Sequence, residues 1–180
     1  MSKVAVVTGG TSGIGKQTAL ALKAAGYTVY ELSRRAQGVE GLHHLVADIT
    51  REELVDAAIG EVLRQEGHID VVVNNAGINI RKPIEEMVKD EWMKMMEVNT
   101  ASIFLATKYV LPVMRKQGGG AIINTSSICG LIGHMNTPEA YTATKGAITL
   151  LTKSVAARYG KDNIRCNSIH PATVDTPFVA

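Results

Sequence analysis

The sequence predicts an α/β fold, a doubly wound parallel sheet of six strands in the order 3-2-1-4-5-6. Short β-rich runs alternate with helix-length segments along the whole chain, the pattern of strands joined by crossover helices. The first and fourth runs, Val4-Ala5-Val6-Val7 and Val71-Val72-Val73, are apolar at every position, as parallel strands covered on both faces should be. A glycine-rich segment separates the first run from the first helix, where folds of this kind hold a phosphate.

In chain order, strands are expected over 4–7, 28–30, 44–46, 71–73, 121–124 and 164–169, with helices over 13–25, 51–65, 90–115 and 140–159. Asp90 is placed to cap the third helix, whose Trp92, Met95, Met96 and Ile103 form one apolar stripe; Pro112 kinks or ends it before Gly118-Gly119-Gly120 breaks the chain. No repeat, low-complexity tract or linker interrupts the pattern, so residues 1–180 are expected to form a single domain.

Composition narrows the function. A chain of 180 residues with 46% apolar side chains carries about one domain's core without disulfides or metal. A net charge of +2 offers little to a nucleic acid. Cys129 and Cys166 make neither a disulfide framework nor a metal-ligand pair, which points to a reducing compartment. The N-terminus lacks the features of a signal peptide, and no apolar run approaches the ~18 residues of a membrane span. A cytoplasmic protein is the expectation, with no membrane or nucleic-acid partner.

The segment Thr8-Gly9-Gly10-Thr11-Ser12-Gly13-Ile14-Gly15 reads G-x-x-x-G-x-G. Glycines let the backbone approach a pyrophosphate, and the free amides and dipole of the following helix favour the anion. No Lys-Ser/Thr follows, so it is not a P-loop. A second residue set selects the dinucleotide: an acid at the end of the second strand would hold the ribose hydroxyl of NAD, an arginine the 2′-phosphate of NADP. Here the discriminating position falls at Ser33, with Arg34 beside it, and a planar guanidinium matches a phosphate, so NADP(H) is favoured over NAD(H). Glu31 competes for an NAD-type contact but stands two residues deeper in the strand.

Tyr141 and Lys145 are four residues apart at the start of a helix and so share a face. A cation there would lower the phenol from its ordinary value towards the range of a general acid/base. Ser126-Ser127 ends the fifth strand at the sheet edge where such folds bind ligands. Asn99 puts an amide on the apolar stripe of its helix, where it needs partners.

Together, Thr8-Gly9-x-x-x-Gly13-Ile14-Gly15, Asn74-Asn75-Ala76-Gly77, Asn99, Ser127 and Tyr141-x-x-x-Lys145 resemble the short-chain dehydrogenase/reductase family, with its Rossmann fold, over nearly the whole chain. The resemblance implies that Tyr141 is the acid/base, Ser127 orients the carbonyl, Lys145 holds the nicotinamide ribose and tunes Tyr141, and Asn99 anchors a water. Ser127 rather than Ser126 matches the family's S-x-x-G pattern with Gly130. It also implies cofactor contacts from Gly9, Thr11, Ser12, Gly13, Ile14 and Gly15, from Ser33 and Arg34, from Asp48 with Ile49 at the adenine, and from Asn75, Ala76 and Gly77. Pro171, Val174 and Thr176 would lie at the carboxamide, although Ala172 replaces the family's usual glycine.

Family members usually run longer, adding substrate-covering helices and an edge strand, so a chain ending at Ala180 is expected to bind dinucleotide but turn over poorly. The helices over 90–115 and 140–159 resemble those the family packs in a four-helix interface, implying a homodimer or homotetramer. Three functions follow: an oxidoreductase acting on a carbonyl or secondary alcohol; a catalytically weak dinucleotide-binding relic; and a methyltransferase, which leaves the Tyr-x-x-x-Lys pair unexplained. His134 and Cys129 are read as a solvated and a packing residue, and His43-His44 lack the further ligands of a metal site.

Overall fold

The computed structural model describes residues 2–178. Six strands, β1 (Val4–Thr8), β2 (Thr28–Ser33), β3 (His43–Val46), β4 (Val71–Asn74), β5 (Gly120–Thr125) and β6 (Ile164–Ile169), pair in parallel in the order β3-β2-β1-β4-β5-β6. The helices are α1 (Gly13–Ala24), α2 (Glu52–Glu66), α3 (Lys89–Met96), α4 (Ser102–Gln117) and α5 (Glu139–Tyr159).

All five residues of β1 are buried. Successive side chains point to opposite faces, so Val4 and Val6 join Val55, Ile59 and Val62 of α2 and Val110 and Met114 of α4 in one core cluster. Ala5 and Val7 pack with Ala19 of α1 on the other face. Each fully buried valine contributes about 1.5–3 kcal/mol, which is why this strand is apolar at every position. β1 has β2 on one side and β4 on the other, so the connections that leave the carboxyl ends of β1 and β4 run in opposite directions and open a crevice between them.

The helix expected over 90–115 is in fact three pieces. α3 is followed by a π-helical turn, Glu97–Ala101, and then by α4. Asp90 does not cap it: Val88 occupies the cap position, and its N–H donates to the Glu91 carboxylate at 3.2 Å. Pro112 stays inside α4 on an exposed face, and the helix ends instead at Gly118, whose φ of 88° an L side chain resists.

Candidate active site

The carboxyl ends of all six strands empty into one cleft of ≈ 990 Å³, enough for a large cofactor together with a small substrate. Its far ends are Arg34 and Asp48 after β2 and β3, and Ser127 after β5 and Tyr141 on α5. Every residue expected to bind cofactor or substrate lines this cleft except Gly15 and Asn99.

The glycine loop explains both its glycines and one exception. Gly9 and Gly13 hold φ of 67° and 53°, and a Cβ on Gly9 would stand 3.0 Å from the Cα of Ala76. The loop thus lies directly on the segment after β4. Ser12 precedes α1 without using its hydroxyl to cap it, so hydroxyl and first-turn amides remain for an anion. Gly15, expected to touch cofactor, is a packing glycine: a Cβ there would meet the Gly9 carbonyl oxygen at 2.3 Å and Asn75 Nδ2 at 2.4 Å. Its place is beneath the loop, where it lets α1 approach.

At one end of the cleft Arg34 is exposed along the wall. Asp48 accepts from the Thr50 N–H at 3.0 Å and the Thr50 hydroxyl at 2.8 Å. Burial works against its charge, but these bonds and the nearby Arg34 hold its carboxyl below the usual value. Glu31 is fully buried and absent from the cleft wall, consistent with its depth in the strand.

At the other end, Ser127 begins a single 3₁₀ turn, Ile128–Gly130, and its Oγ accepts from the Cys129 N–H at 3.2 Å. Ser126 donates inward to the Lys145 carbonyl at 2.9 Å, which separates the two serines that the sequence left adjacent. Gly130 permits this packing, since a Cβ there would stand 2.4 Å from Ser126 Oγ. His170 Nδ1 lies 2.9 Å from the Ser127 carbonyl and so donates to it, while its Nε2 is 2.9 Å from Ser168 Oγ.

Lys145 is 4% exposed, and its Nζ donates to the Thr125 carbonyl at 2.8 Å and stands 5.4 Å from the centre of the Tyr141 ring. Burial lowers its pKa to about 8. The phenol of Tyr141 is raised by burial despite an opposing hydrogen bond with Ser127. The phenol is thus raised rather than lowered as expected, because desolvation penalises its charged form.

Asn99 lies beside the cleft rather than on its wall. It is fully buried in the π-helical turn, with Oδ1 accepting from the Ile78 N–H at 2.7 Å and Nδ2 donating to the Ile78 carbonyl at 2.9 Å and Thr144 Oγ1 at 3.1 Å. The amide is spent on pinning the chain after β4 to α5. A π turn at this point agrees with the tendency of such turns to occur at functional sites.

Some contributors were missed. Thr8 Oγ1 accepts from the N–H groups of Asn75 and Ala76 at 3.0 and 3.2 Å, and its place just before the glycine loop was the available signal. The Thr125 carbonyl has none, because a backbone acceptor carries no residue signature. Arg35 donates to the Thr11 carbonyl at 3.3 Å. Phe178 stands 6.2 Å from Tyr141, ring centre to ring centre.

An anion-binding glycine loop and a serine, tyrosine and lysine at opposite ends of one crevice define a dinucleotide-dependent enzyme. The family profile described as short chain dehydrogenase matches residues 3–180, and the chain belongs to that family. It is 40% identical over 188 residues to the cyclopentanol dehydrogenase of Comamonas testosteroni, covering 98% of this chain and 74% of that protein. It is 38% identical over 193 residues to the 2-(R)-hydroxypropyl-CoM dehydrogenase of Xanthobacter autotrophicus, covering 99% and 77%. Among solved structures, the ligand-free aldohexose dehydrogenase of Thermoplasma acidophilum superposes with a TM-score of 0.94 at 37% identity, over 99% of this chain and 69% of that one. ElxO with NADP bound gives 0.93 at 33%, over 98% and 76%. The chain is thus an oxidoreductase that uses a nicotinamide dinucleotide, and the methyltransferase reading falls. No helix among the described residues is long and apolar enough to cross a membrane.

Proposed function

We propose that this chain reduces a carbonyl, or oxidises the corresponding secondary alcohol, with NADP(H) in preference to NAD(H) and with Tyr141 as acid/base. The observation that carries the reading is that Arg34 and the glycine loop share one cleft with Ser127, Tyr141 and Lys145. The cleft fits a dinucleotide: glycines with positive φ face it, and its length takes an adenosine at Asp48 and a nicotinamide near Pro171, Val174 and Thr176. When bound, the nicotinamide supplies or accepts the hydride.

The protein's own residues handle the proton and the orientation. Tyr141, kept protonated by burial, gives its phenolic proton to the carbonyl oxygen during reduction and takes it back in the reverse direction. Ser127 Oγ hydrogen-bonds the same oxygen and fixes the substrate face. Lys145, held by the Thr125 carbonyl, keeps a cation beside the phenol and a donor towards the ribose. Asn99 acts indirectly, by fixing the Gly77-Ile78 backbone along the cleft wall.

The chain is proposed to act as one dinucleotide-binding and catalytic unit in the cytoplasm, where the free, buried Cys129 and Cys166 stay reduced. A homodimer or homotetramer is supported by Phe104 and Leu150, 53% and 67% exposed on α4 and α5. Fluorescence titration with NADPH and NADH, followed by turnover on cyclic and acyclic ketones, tests the reading. Tight NADPH binding with ketone-dependent oxidation is expected; saturable binding of neither nucleotide contradicts it.

A further inference from the structure

Glu31 on β2 and His44 on β3 face each other in register. Glu31 is fully buried, with Oε1 bonded to His44 Nδ1 and Oε2 without a hydrogen-bond partner. The other ring nitrogen, Nε2, lies 2.9 Å from the Arg35 carbonyl. A carbonyl only accepts, so Nε2 carries a proton and donates it. The imidazole is thus held from both sides, by the Glu31 carboxyl group at Nδ1 and the Arg35 carbonyl at Nε2.

The surrounding chain is built around this pair. A Cβ on Gly10 of the glycine loop would stand 2.5 Å from Glu31 Cβ, and one on Gly38 would stand 2.4 Å from His44 Cβ. The loop after β1 therefore rests on the carboxylate residue, and the segment after β2 wraps the imidazole. His44 fixes the Arg35 carbonyl, Ser33 Oγ accepts from the Arg35 N–H at 3.4 Å, and the Arg35 guanidinium returns to the Thr11 carbonyl of the glycine loop. The path from Glu31 to the cleft wall is thus continuous, and Arg34 lies within it. An apolar pair would fill the same space at no desolvation cost, so these polar groups are explained by what they hold.

We propose that His44, oriented by Glu31, is a positioning residue for cofactor choice: it presets the Arg34-Arg35 segment to receive the phosphate on the adenosine ribose. The proposal rests on the NADP(H) reading above. Its test is the dissociation constant of NADPH and of NADH for the wild type, His44→Ala, Arg34→Ala/Arg35→Ala and the triple variant. His44→Ala is expected to weaken NADPH about tenfold, the effect of losing one anchoring hydrogen bond, with NADH changed less than about twofold. In the background lacking both arginines, His44→Ala should change neither. Equal weakening of both nucleotides, or an effect that survives loss of the arginines, overturns the proposal. A wild type that does not prefer NADPH overturns the cofactor reading itself and the proposal with it. Should His44→Ala fail to fold, Glu31→Leu/His44→Leu replaces the pair by packed apolar groups; it should fold and lose selectivity, and a retained NADPH preference overturns the proposal.

Discussion

From Val4 to Val73 the buried polar or charged side chains are Thr8 and Glu31, whereas from Asn74 onward they include Asn74, Asn99, Asn124, Ser126, Ser127, Thr144, Lys145, Thr149 and Thr152. The first half lines the cleft largely with backbone, through glycines with positive φ and free amides at a helix start, and with exposed side chains such as Arg34. Backbone needs no buried side-chain donors, so the core beneath it stays apolar. The second half makes its chemistry from side chains that must be dry and oriented, and each one needs a partner. Asn74 donates to Asn124, Asn124 to Thr152, and Ser126 to the Lys145 carbonyl, at 2.9 Å in each case. A site of amides tolerates an apolar foundation, while a site of ionisable groups requires a polar one.

The largest effects should come from the catalytic half. Lys145→Met is expected to lower turnover by about 10²–10⁴-fold, read by steady-state kinetics at saturating NADPH. The same variant sharpens the comparison through stability. The folded pKa of Lys145 is about 8 against an ordinary 10.5. In that interval the unfolded chain binds more protons, so wild-type stability rises with pH; the burial penalty is complete below about pH 8. Denaturant titrations should show wild type gaining up to about 3 kcal/mol on Lys145→Met between about pH 7 and about pH 10. A constant difference would mean that Lys145 is not a desolvated cation.

In the nucleotide half the sensitive positions should be glycines. Gly15→Ala forces a methyl group into the Gly9 carbonyl and is expected to cost about 1–3 kcal/mol, together with weaker binding of NADPH and NADH alike, read by thermal unfolding and fluorescence. Asn124→Ala, which leaves Asn74 and Thr152 without their partner, should cost about 1–3 kcal/mol with no change in cofactor selectivity. The smallest effect is expected for Arg34→Ala, an exposed contact whose loss weakens NADPH about tenfold and spares NADH. If Arg34→Ala destabilised the fold more than Asn124→Ala, the contrast between the halves would fail.

The sheet order and the position of the cleft were legible from the strand–helix alternation and the glycine segment after β1, and the burial of β1 on both faces from its unbroken apolar run. Tyr141 and Lys145 were legible because helical spacing alone puts them together. The π turn at Glu97–Ala101 was not, since one extra residue in a helical turn leaves the apolar stripe nearly intact. The contacts of Gly15 and Asn99 with the segment after β4 were not legible for a related reason: that segment is distant in sequence and meets them only once the sheet is assembled. The Glu31–His44 pair depends on the β2–β3 register, which no local motif encodes. The raised phenol of Tyr141 depends on how deeply α5 packs, and spacing does not report depth.

The role of Tyr141 as proton donor is tested most directly by Tyr141→Phe, assayed for ketone reduction in parallel with NADPH titration. Turnover should fall by about 10²–10⁴-fold with nucleotide affinity within a few fold of wild type. Wild-type turnover in that variant would contradict the assignment of the proton to Tyr141.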